Sequence, residues 1–249
     1  MSDFFSIVSE PSVCKFLQLL IIIPFLAGIL LFIVPEKYLK AKGIIALVIS
    51  LITGYLTLSL FNSAAQMVAL ERVMGKTCNT LFGSDLMYGA ESFFTFSVDN
   101  LSKLIILFIS LFSILVLIYS ILYIKSGRVK HYYQWFLITL GCSYGAVLAD
   151  NLVIFLIFWG ILGITLYKLI PGRDEDSSAT AKKTLILIGA SDSIMMIGIG
   201  MIYRLTGSFS IGSVSLPTDN ILSVTAFIAL LVGCFTKAGA FPFHSWVPD

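Results

Sequence analysis

The sequence predicts an all-α integral membrane protein that crosses a bilayer about seven times. Hydrophobic residues make up 58% of its 249 residues, charged residues make up only 12%, and the mean hydropathy is +0.98. Soluble domains carry about 25% charged residues. A soluble core of this length cannot bury so much apolar surface, so lipid has to cover the excess.

Seven stretches are long and apolar enough to span a membrane, which takes roughly 20 residues. They are 16–34, 43–61, 104–124, 133–149, 152–170, 183–204 and 221–241. The first is predicted to be a retained span and not a cleavable signal peptide. Asp3 and Glu10 precede it, and Pro35-Glu36-Lys37 follows it, where small residues are expected at a cleavage site.

Lysine and arginine collect on one side of these spans if the loops alternate across the membrane. Nine lie on one side and five on the other, and cytoplasmic loops usually carry the excess. The nine are Lys37, Lys40, Lys42, Lys125, Arg128, Lys130, Arg173, Lys182 and Lys183. The N-terminus is therefore expected outside, with the loops after spans one, three and five in the cytoplasm.

Composition also excludes several classes of function. A net charge of +2 without a basic cluster gives no support to nucleic-acid binding. The four cysteines are far apart and the two histidines are His131 and His244, so no zinc, haem or disulfide pattern is present. No iron–sulfur, flavin or dinucleotide motif is present in the sequence. No cofactor is therefore expected in this chain, and any redox chemistry is expected in another subunit.

Asp192 and Lys237 are predicted to lie deep in spans six and seven. An ionisable residue at mid-span costs about 2.5–3.5 kcal/mol on insertion scales, so such residues are candidates for function. One interpretation is a structural ion pair that locks the helices together. The other is a proton relay, because desolvation disfavours a charged lysine and a nearby carboxylate restores the charge. A lysine whose partner approaches and withdraws then binds and releases a proton.

The residues after Lys237 predict a discontinuous seventh helix. Pro242 has no main-chain N–H, so the carbonyl of Ala238 loses its helical partner, and Gly239 adds flexibility. Irregular backbone at membrane depth is tolerated where it is buried in protein or lines a water-filled cavity. His244 follows the break and is either a proton exit or a hydrogen-bonded interfacial residue.

Four stretches carry a recognisable pattern. They are FSVDNLS at 96–102 with IYS at 118–120, ADNL at 149–152 with FW at 158–159, AKK at 181–183 with Asp192 downstream, and TKAGAFPFHSWVPD at 236–249. In order and spacing they resemble the antiporter-like subunits of respiratory complex I. Those subunits are related to subunits of Mrp-type cation/proton antiporters and membrane-bound hydrogenases. The resemblance divides the chain into a two-span segment with an extracellular loop, 1–94, and a third span with a partial, incomplete channel unit, 95–249.

The resemblance implies a proton half-channel driven by redox chemistry in neighbouring subunits. Lys237 occupies the position of the family's central proton carrier. Gly160, directly after Trp159, stands where the family has the glutamate that pairs with that lysine, and Gly189 replaces a basic residue. Either Asp192 has taken over as the modulating carboxylate, or this half-channel has lost pumping and kept a scaffold role.

The family's core continues with an eighth helix that would begin near Asp249. Either another chain supplies the remaining C-terminal helices, or this is a truncated product. The resemblance places the chain in an energy-transducing membrane, expected to be the prokaryotic plasma membrane, packed against lipid and other membrane subunits.

The leading hypothesis is a proton-translocating subunit of a redox-driven complex, an NADH:quinone oxidoreductase or a membrane-bound hydrogenase. Iron–sulfur clusters and a flavin or nickel–iron site are then expected in its partner subunits. The rivals are a subunit of an Mrp-type cation/proton antiporter and a non-pumping structural subunit. An enzyme with an active site of its own is not expected, because the sequence shows no nucleophile–base pattern.

Overall fold

A computed structural model describes residues 10–62, 96–124, 131–170, 175–217 and 219–247. Its seven α-helices are α1 (Glu10–Leu30), α2 (Leu39–Asn62), α3 (Asn100–Tyr123), α4 (Tyr132–Leu148), α5 (Leu152–Leu169), α6 (Glu175–Thr206) and α7 (Ile221–Ala238). Short 3₁₀ turns, Glu36–Tyr38 and Ile211–Ser213, lie in the connections before α2 and α7. Each helix overlaps one predicted span, which confirms the all-α fold class. Most of the long 62–103 connection lies outside the described residues.

Five of these helices, α2, α3, α5, α6 and α7, are long and apolar enough to cross a membrane by themselves. The apolar part of α1, Phe16–Leu30, and the 17-residue α4 are shorter. The outer faces of α2 and α3 expose large apolar side chains such as Tyr55 and Leu122. Lipid is the solvent that such faces require, so the chain is an integral membrane protein.

The helices pack mainly in neighbouring pairs: α1 against α4, α2 against α3, α4 against α5, and α6 against α7. Small residues let two of these pairs approach closely. A Cβ on Gly141 of α4 would lie 2.9 Å from the carbonyl oxygen of Ile21, and a Cβ on Gly198 of α6 would lie 2.8 Å from the Cβ of Ala229. No larger residue fits at either crossing without moving a helix.

Buried hydroxyl groups join α2 to α3 and α3 to α4. The Ser50 and Ser113 hydroxyls are 2.6 Å apart, Thr57 Oγ1 is 3.0 Å from Ser110 Oγ, and Ser110 Oγ is 2.8 Å from the Tyr144 hydroxyl. Each such bond between membrane helices contributes about 0.6–2 kcal/mol. These groups are neutral and satisfied, so they hold the helices together without carrying charge.

Asparagine caps begin the two helices that frame the candidate site. Asn151 Oδ1 accepts the main-chain N–H of Val153 at 2.8 Å at the start of α5, and Asn220 Oδ1 accepts that of Leu222 at 2.9 Å at the start of α7. Each cap satisfies an N–H that would otherwise lack a partner and fixes where its helix begins. The positions of Trp159 and Lys237 along the membrane follow from these starts.

Candidate functional site

The structure brings Asp192 and Lys237 together. Lys237 lies in the last turn of α7 and Asp192 lies near the middle of α6, with Nζ 3.8 Å from Oδ2. The Lys237 side chain is 13% exposed and the Asp192 side chain is 17% exposed. The two groups predicted to lie deep in the membrane therefore form one largely buried pair.

Trp159 of α5 contacts both charged groups. Its indole Nε1–H donates to Asp192 Oδ1 at 2.8 Å, while its main-chain carbonyl accepts a hydrogen bond from Lys237 Nζ. The ammonium also lies 4.1 Å from the centre of the indole ring, within cation–π range. The indole N–H of Trp159 thus binds the carboxylate, while its main-chain carbonyl and the face of its ring contact the ammonium.

The distance between Lys237 and Asp192 leaves them close but without a direct short hydrogen bond. Charge-assisted N–H···O contacts measure about 2.7–2.9 Å, whereas this Nζ–Oδ2 distance is 3.8 Å. A relative shift of about 1 Å is enough to close the pair. In this arrangement the Trp159 carbonyl, and not Asp192, accepts the hydrogen bond of Lys237.

Glycines shape the space around the pair. A Cβ on Gly163 would lie 3.6 Å from Asp192 Oδ2 and 4.0 Å from Lys237 Nζ, so this glycine forms the α5 wall of the site. A Cβ on Gly160 would meet no described atom within 4 Å. Gly160, which stands where the resemblance implies a glutamate, therefore faces open space among the described residues.

Gly239 ends α7 immediately after the site. It adopts a left-handed conformation with φ 64°, its N–H donates to Thr236 O at 3.1 Å, and the N–H of Ala240 donates to Phe235 O at 2.9 Å. This pair of bonds is the Schellman ending of a helix, which favours glycine at that position. The predicted span reached 241, but the helix ends at Ala238, before Pro242.

The segment after Gly239 folds back onto the end of α7. Trp246 Nε1 donates to the Thr236 carbonyl at 2.8 Å, and no helix resumes in the described residues up to Val247. His244 is exposed and its ring centre lies 5.7 Å from that of Phe241. The structure does not place His244 in the cluster of Lys237, Asp192 and Trp159, and its role as a proton exit stays a prediction.

A second ionisable cluster lies between α1, α2 and α4. Lys42 Nζ donates to Glu36 Oε1, and the same oxygen accepts Gln134 Nε2 at 3.1 Å and lies 2.9 Å from His131 Nδ1. Lys42 is completely buried. The sequence analysis places Lys42 in a loop among the charges that set the orientation, and it does not predict that this side chain is buried. A signal was present, since Glu36 stands six residues before Lys42 and follows Pro35, a residue typical of turns.

The described residues contain no group of three or more histidine, cysteine, aspartate or glutamate side chains that could hold a metal ion. The described ionisable groups nearest Lys237 are the Asp192 carboxylate and the ammonium itself, beside the Trp159 indole.

Comparison with known proteins gives matches in sequence and in fold. Residues 149–249 match the family model described as NADH:quinone oxidoreductase/Mrp antiporter, TM. One Na(+)/H(+) antiporter subunit from Alkalihalophilus pseudofirmus is 36% identical over 164 residues, which is 63% of this chain and 20% of that protein. The subunit of the same name from Bacillus subtilis is 33% identical over 143 residues, 54% of this chain and 18% of that protein.

Solved structures with the same fold come from three kinds of assembly. A chain of respiratory complex I from Thermus thermophilus gives a TM-score of 0.70 at 21% identity, covering 94% of this chain and 46% of that one. A chain of an archaeal membrane-bound sulfane sulfur reductase gives 0.74 at 17% identity, with coverage of 94% and 47%. A chain of the Mrp complex from Dietzia gives 0.70 at 17% identity, with coverage of 97% and 43%. The chain thus spans about a fifth of its curated relatives and slightly less than half of these structural neighbours.

Proposed function

Given the confirmed resemblance to antiporter-like membrane subunits, we propose that this chain carries a proton-translocating site in which Lys237 is the proton carrier and Asp192 is its modulating carboxylate. The observation that carries the proposal is the 3.8 Å pair held on both sides by Trp159. Asp192 takes the modulating role at a site where Gly160 provides no carboxylate.

The proton moves because the surroundings of the lysine change. When Asp192 is ionised and close, its charge favours the protonated form of Lys237. When Asp192 withdraws or binds a proton itself, desolvation disfavours the ammonium and Lys237 releases its proton. Trp159 limits the movement, because its indole N–H keeps hold of Asp192 while its carbonyl keeps hold of Lys237.

Two features support transfer over a purely structural ion pair. Both side chains keep some exposure, 13% and 17%, so the described helices do not seal either charged group completely. The irregular segment 239–247 follows Lys237 directly, and non-helical backbone at this depth is typical of ion pathways. A structural pair would favour a direct charge-assisted bond, such as the one between Lys42 and Glu36.

The parent assembly is the second part of the proposal. The relatives with 33–36% identity are Na(+)/H(+) antiporter subunits, whereas the likeness to the redox complexes is 17–21% identical and shows the fold alone. These identities favour an Mrp-type cation/proton antiporter over a redox-driven complex. Sodium-dependent exchange without iron–sulfur or quinone-site subunits would support the antiporter. Co-purification with such subunits, which would hold the flavin or nickel–iron chemistry, would support the redox complex.

The proposed setting is an assembly in a prokaryotic plasma membrane with the N-terminus outside. Other membrane subunits, together with the helices that follow in the longer relatives, would cover the open side of the site near Gly160. A reporter fused at either terminus tests the orientation.

The transport experiment compares two lysine variants in membrane vesicles that contain the assembled complex. Lys237→Ala is expected to abolish proton movement, measured with a pH-sensitive dye. Lys168→Ala is the matched control, because Lys168 is an exposed lysine at the end of α5 whose ammonium lies over Tyr167 and not near Asp192. Full proton movement in Lys237→Ala, with normal assembly, would refute the proposal and support a scaffold role.

A further inference from the structure

Met195 of α6 packs onto Gly233 of α7, one helical turn from the Lys237 site. Met195 follows Asp192 by three residues on α6. Gly233 precedes Lys237 by four residues on α7. Residues at these spacings lie on one face of a helix, so the two contacts are neighbouring steps of the same α6–α7 interface. Met195 is completely buried, and Gly233 is buried as well.

The contact leaves no room for a side chain on Gly233. A Cβ there would lie 2.4 Å from Met195 Cε and 3.0 Å from Met195 Cβ, whereas carbon atoms pack at about 3.5–4.0 Å. The Cε atom ends a flexible side chain and can swing aside, but the Cβ atom is fixed by the backbone of α6. A larger residue at 233 therefore moves α7 about 0.5–1 Å away from α6.

The surroundings of Met195 also oppose a change of its side chain. Met195 belongs to a cluster of buried apolar side chains, and Trp159 packs against this cluster. The other buried members are Leu152, Ile199, Ile202 and Ala226. Well-packed interiors have little free space, and added volume displaces side chains and backbone. Extra volume at 233 is therefore taken up mainly by a shift of the helix.

Such a shift separates the two charged groups. Lys237 is carried by α7 and Asp192 by α6, with Nζ 3.8 Å from Oδ2. Trp159 contacts both groups from α5, so the approach of α7 to α6 depends on the interface between these two helices. The absence of a side chain at Gly233 thus lets the ammonium lie this close to the carboxylate.

We propose that Gly233 is a positioning residue for Lys237. By seating Met195, it sets the distance between the Lys237 ammonium and the Asp192 carboxylate. Gly233 acts through Met195 and the backbone of α7, and it handles no proton itself. The effect of that distance on transport rests on the function proposed above, whereas the effect of Gly233 on the distance does not.

The test compares Gly233→Ala with wild type in the assembled complex that contains the full chain. Solid-state NMR with nitrogen-labelled lysine and carbon-labelled aspartate measures the distance from Lys237 Nζ to Asp192 Cγ, and the signal is assigned by its loss in Lys237→Ala. Gly233→Ala is expected to lengthen this distance by about 0.5–1 Å. Proton movement is expected to slow roughly two- to fivefold, which is the change in attraction between two charges at an effective dielectric constant of about 20.

Further variants separate position from stability. Met195→Gly removes a completely buried side chain, so it is expected to lower thermal stability without lengthening the distance. In Gly233→Ala/Met195→Gly the space returns, and both the distance and the rate of proton movement are expected to recover toward wild type although the fold is less stable. Gly200→Ala is the matched glycine control with an expected wild-type distance and rate, since a Cβ on Gly200 meets no described atom within 4 Å.

An unchanged distance in Gly233→Ala would overturn the inference, as would rates that follow thermal stability instead of distance. A longer distance with a normal rate would also overturn it, provided that Lys237→Ala abolishes transport. Normal transport in Lys237→Ala would refute the proposed function alone, and the distance in Gly233→Ala would still decide whether Gly233 positions Lys237. Where Met195→Gly does not assemble, the comparison of Gly233→Ala with Gly200→Ala decides.

Discussion

The pair Glu36–Lys42 and the pair Asp192–Lys237 place the same two chemical groups in different surroundings. Lys42 is completely buried and bonds directly to Glu36, whose same oxygen also accepts Gln134. Lys237 keeps 13% exposure, lies 3.8 Å from Asp192, and gives its hydrogen bond to the Trp159 carbonyl instead. The first pair is closed by a direct bond, although its carboxylate is 37% exposed, whereas the second is open in the sense that a third residue joins the two charges.

From this difference we expect Lys42 and Lys237 to have different roles. A closed pair fixes the turn between α1 and α2 against α4, and breaking it leaves a buried group without its partner. In an open pair, the charge state of the lysine depends on how close the carboxylate lies. Substitutions at Lys42 should therefore affect stability, and substitutions around Lys237 should affect transport.

The largest stability effect is expected for Lys42→Ala. The substitution removes a completely buried side chain and its bond to Glu36, which should cost about 3 kcal/mol of unfolding free energy. Titration with a denaturing detergent, followed by circular dichroism, measures it. The exposed neighbour gives the control, since Lys40→Ala should change stability by less than about 0.5 kcal/mol. If Lys42→Ala had normal stability but no transport, the assignment of Lys42 to stability would be wrong.

The next effect concerns Trp159, which contacts both members of the Asp192–Lys237 pair. Trp159→Phe keeps an aromatic face and the main-chain carbonyl but removes the N–H that holds Asp192. A hydrogen bond to a charged group contributes about 1.5–3 kcal/mol, so transport should fall at least roughly tenfold with the fold retained. Initial rates of proton movement in reconstituted vesicles measure it.

Trp246→Phe is the matched control for that prediction. It removes a similar indole bond, to the carbonyl of Thr236, without touching Asp192. Its transport rate is expected to stay within about twofold of wild type, since it removes no contact to a charged group. Equal losses in the two variants would show that Trp159 acts only by packing.

The smallest effect comes from a carboxylate outside both pairs. Hydrogen bonds from the Ser102 hydroxyl and main-chain N–H, the latter at 2.6 Å, lower the pKa of Asp99 from its ordinary 3.8 at the start of α3. The ionised cap therefore stabilises the fold above pH 4, and this contribution is lost as the pH falls through the lower, folded pKa.

Asp99→Ala should cost about 1 kcal/mol at pH 7, and the cost should shrink in acid. Unfolding titrations at pH 7 and pH 3 measure it, with Ser102→Ala expected to weaken the same dependence. A cost that does not change with pH would mean that the Asp99 carboxylate is not the group that caps α3. The result gives the pH dependence of stability for a carboxylate that is bound by its own helix, for comparison with the two carboxylates that are paired with lysines.

The helices could be predicted from the sequence because a membrane span needs a long apolar run. Asn151 and Asn220 mark where α5 and α7 begin. That Asp192 and Lys237 lie close together was predictable for the same reason, since the registers of the two helices place both residues near one level of the bundle. Side-chain contacts were not predictable in this way. The position of Trp159 between the two charges depends on how α5 rotates against α6 and α7.

Two departures have a local physical cause. The helix ends at Ala238 because Gly239 adopts the left-handed conformation that closes it, and this happens before the missing N–H of Pro242 matters. Lys42 is buried because the turn Glu36–Tyr38 brings Glu36 back over the start of α2. A count of loop charges predicts the side of the membrane, but it does not indicate which charges are paired.

The most direct measurement is proton movement by the reconstituted assembly carrying Asp192→Asn. Asparagine keeps the shape and can still accept the Trp159 indole N–H, but it carries no charge to tune Lys237. Transport is expected to fall at least roughly tenfold while assembly and thermal unfolding stay close to wild type. Unchanged transport would contradict a modulating role for Asp192 and would leave Lys237 without a carboxylate partner among the described residues around it.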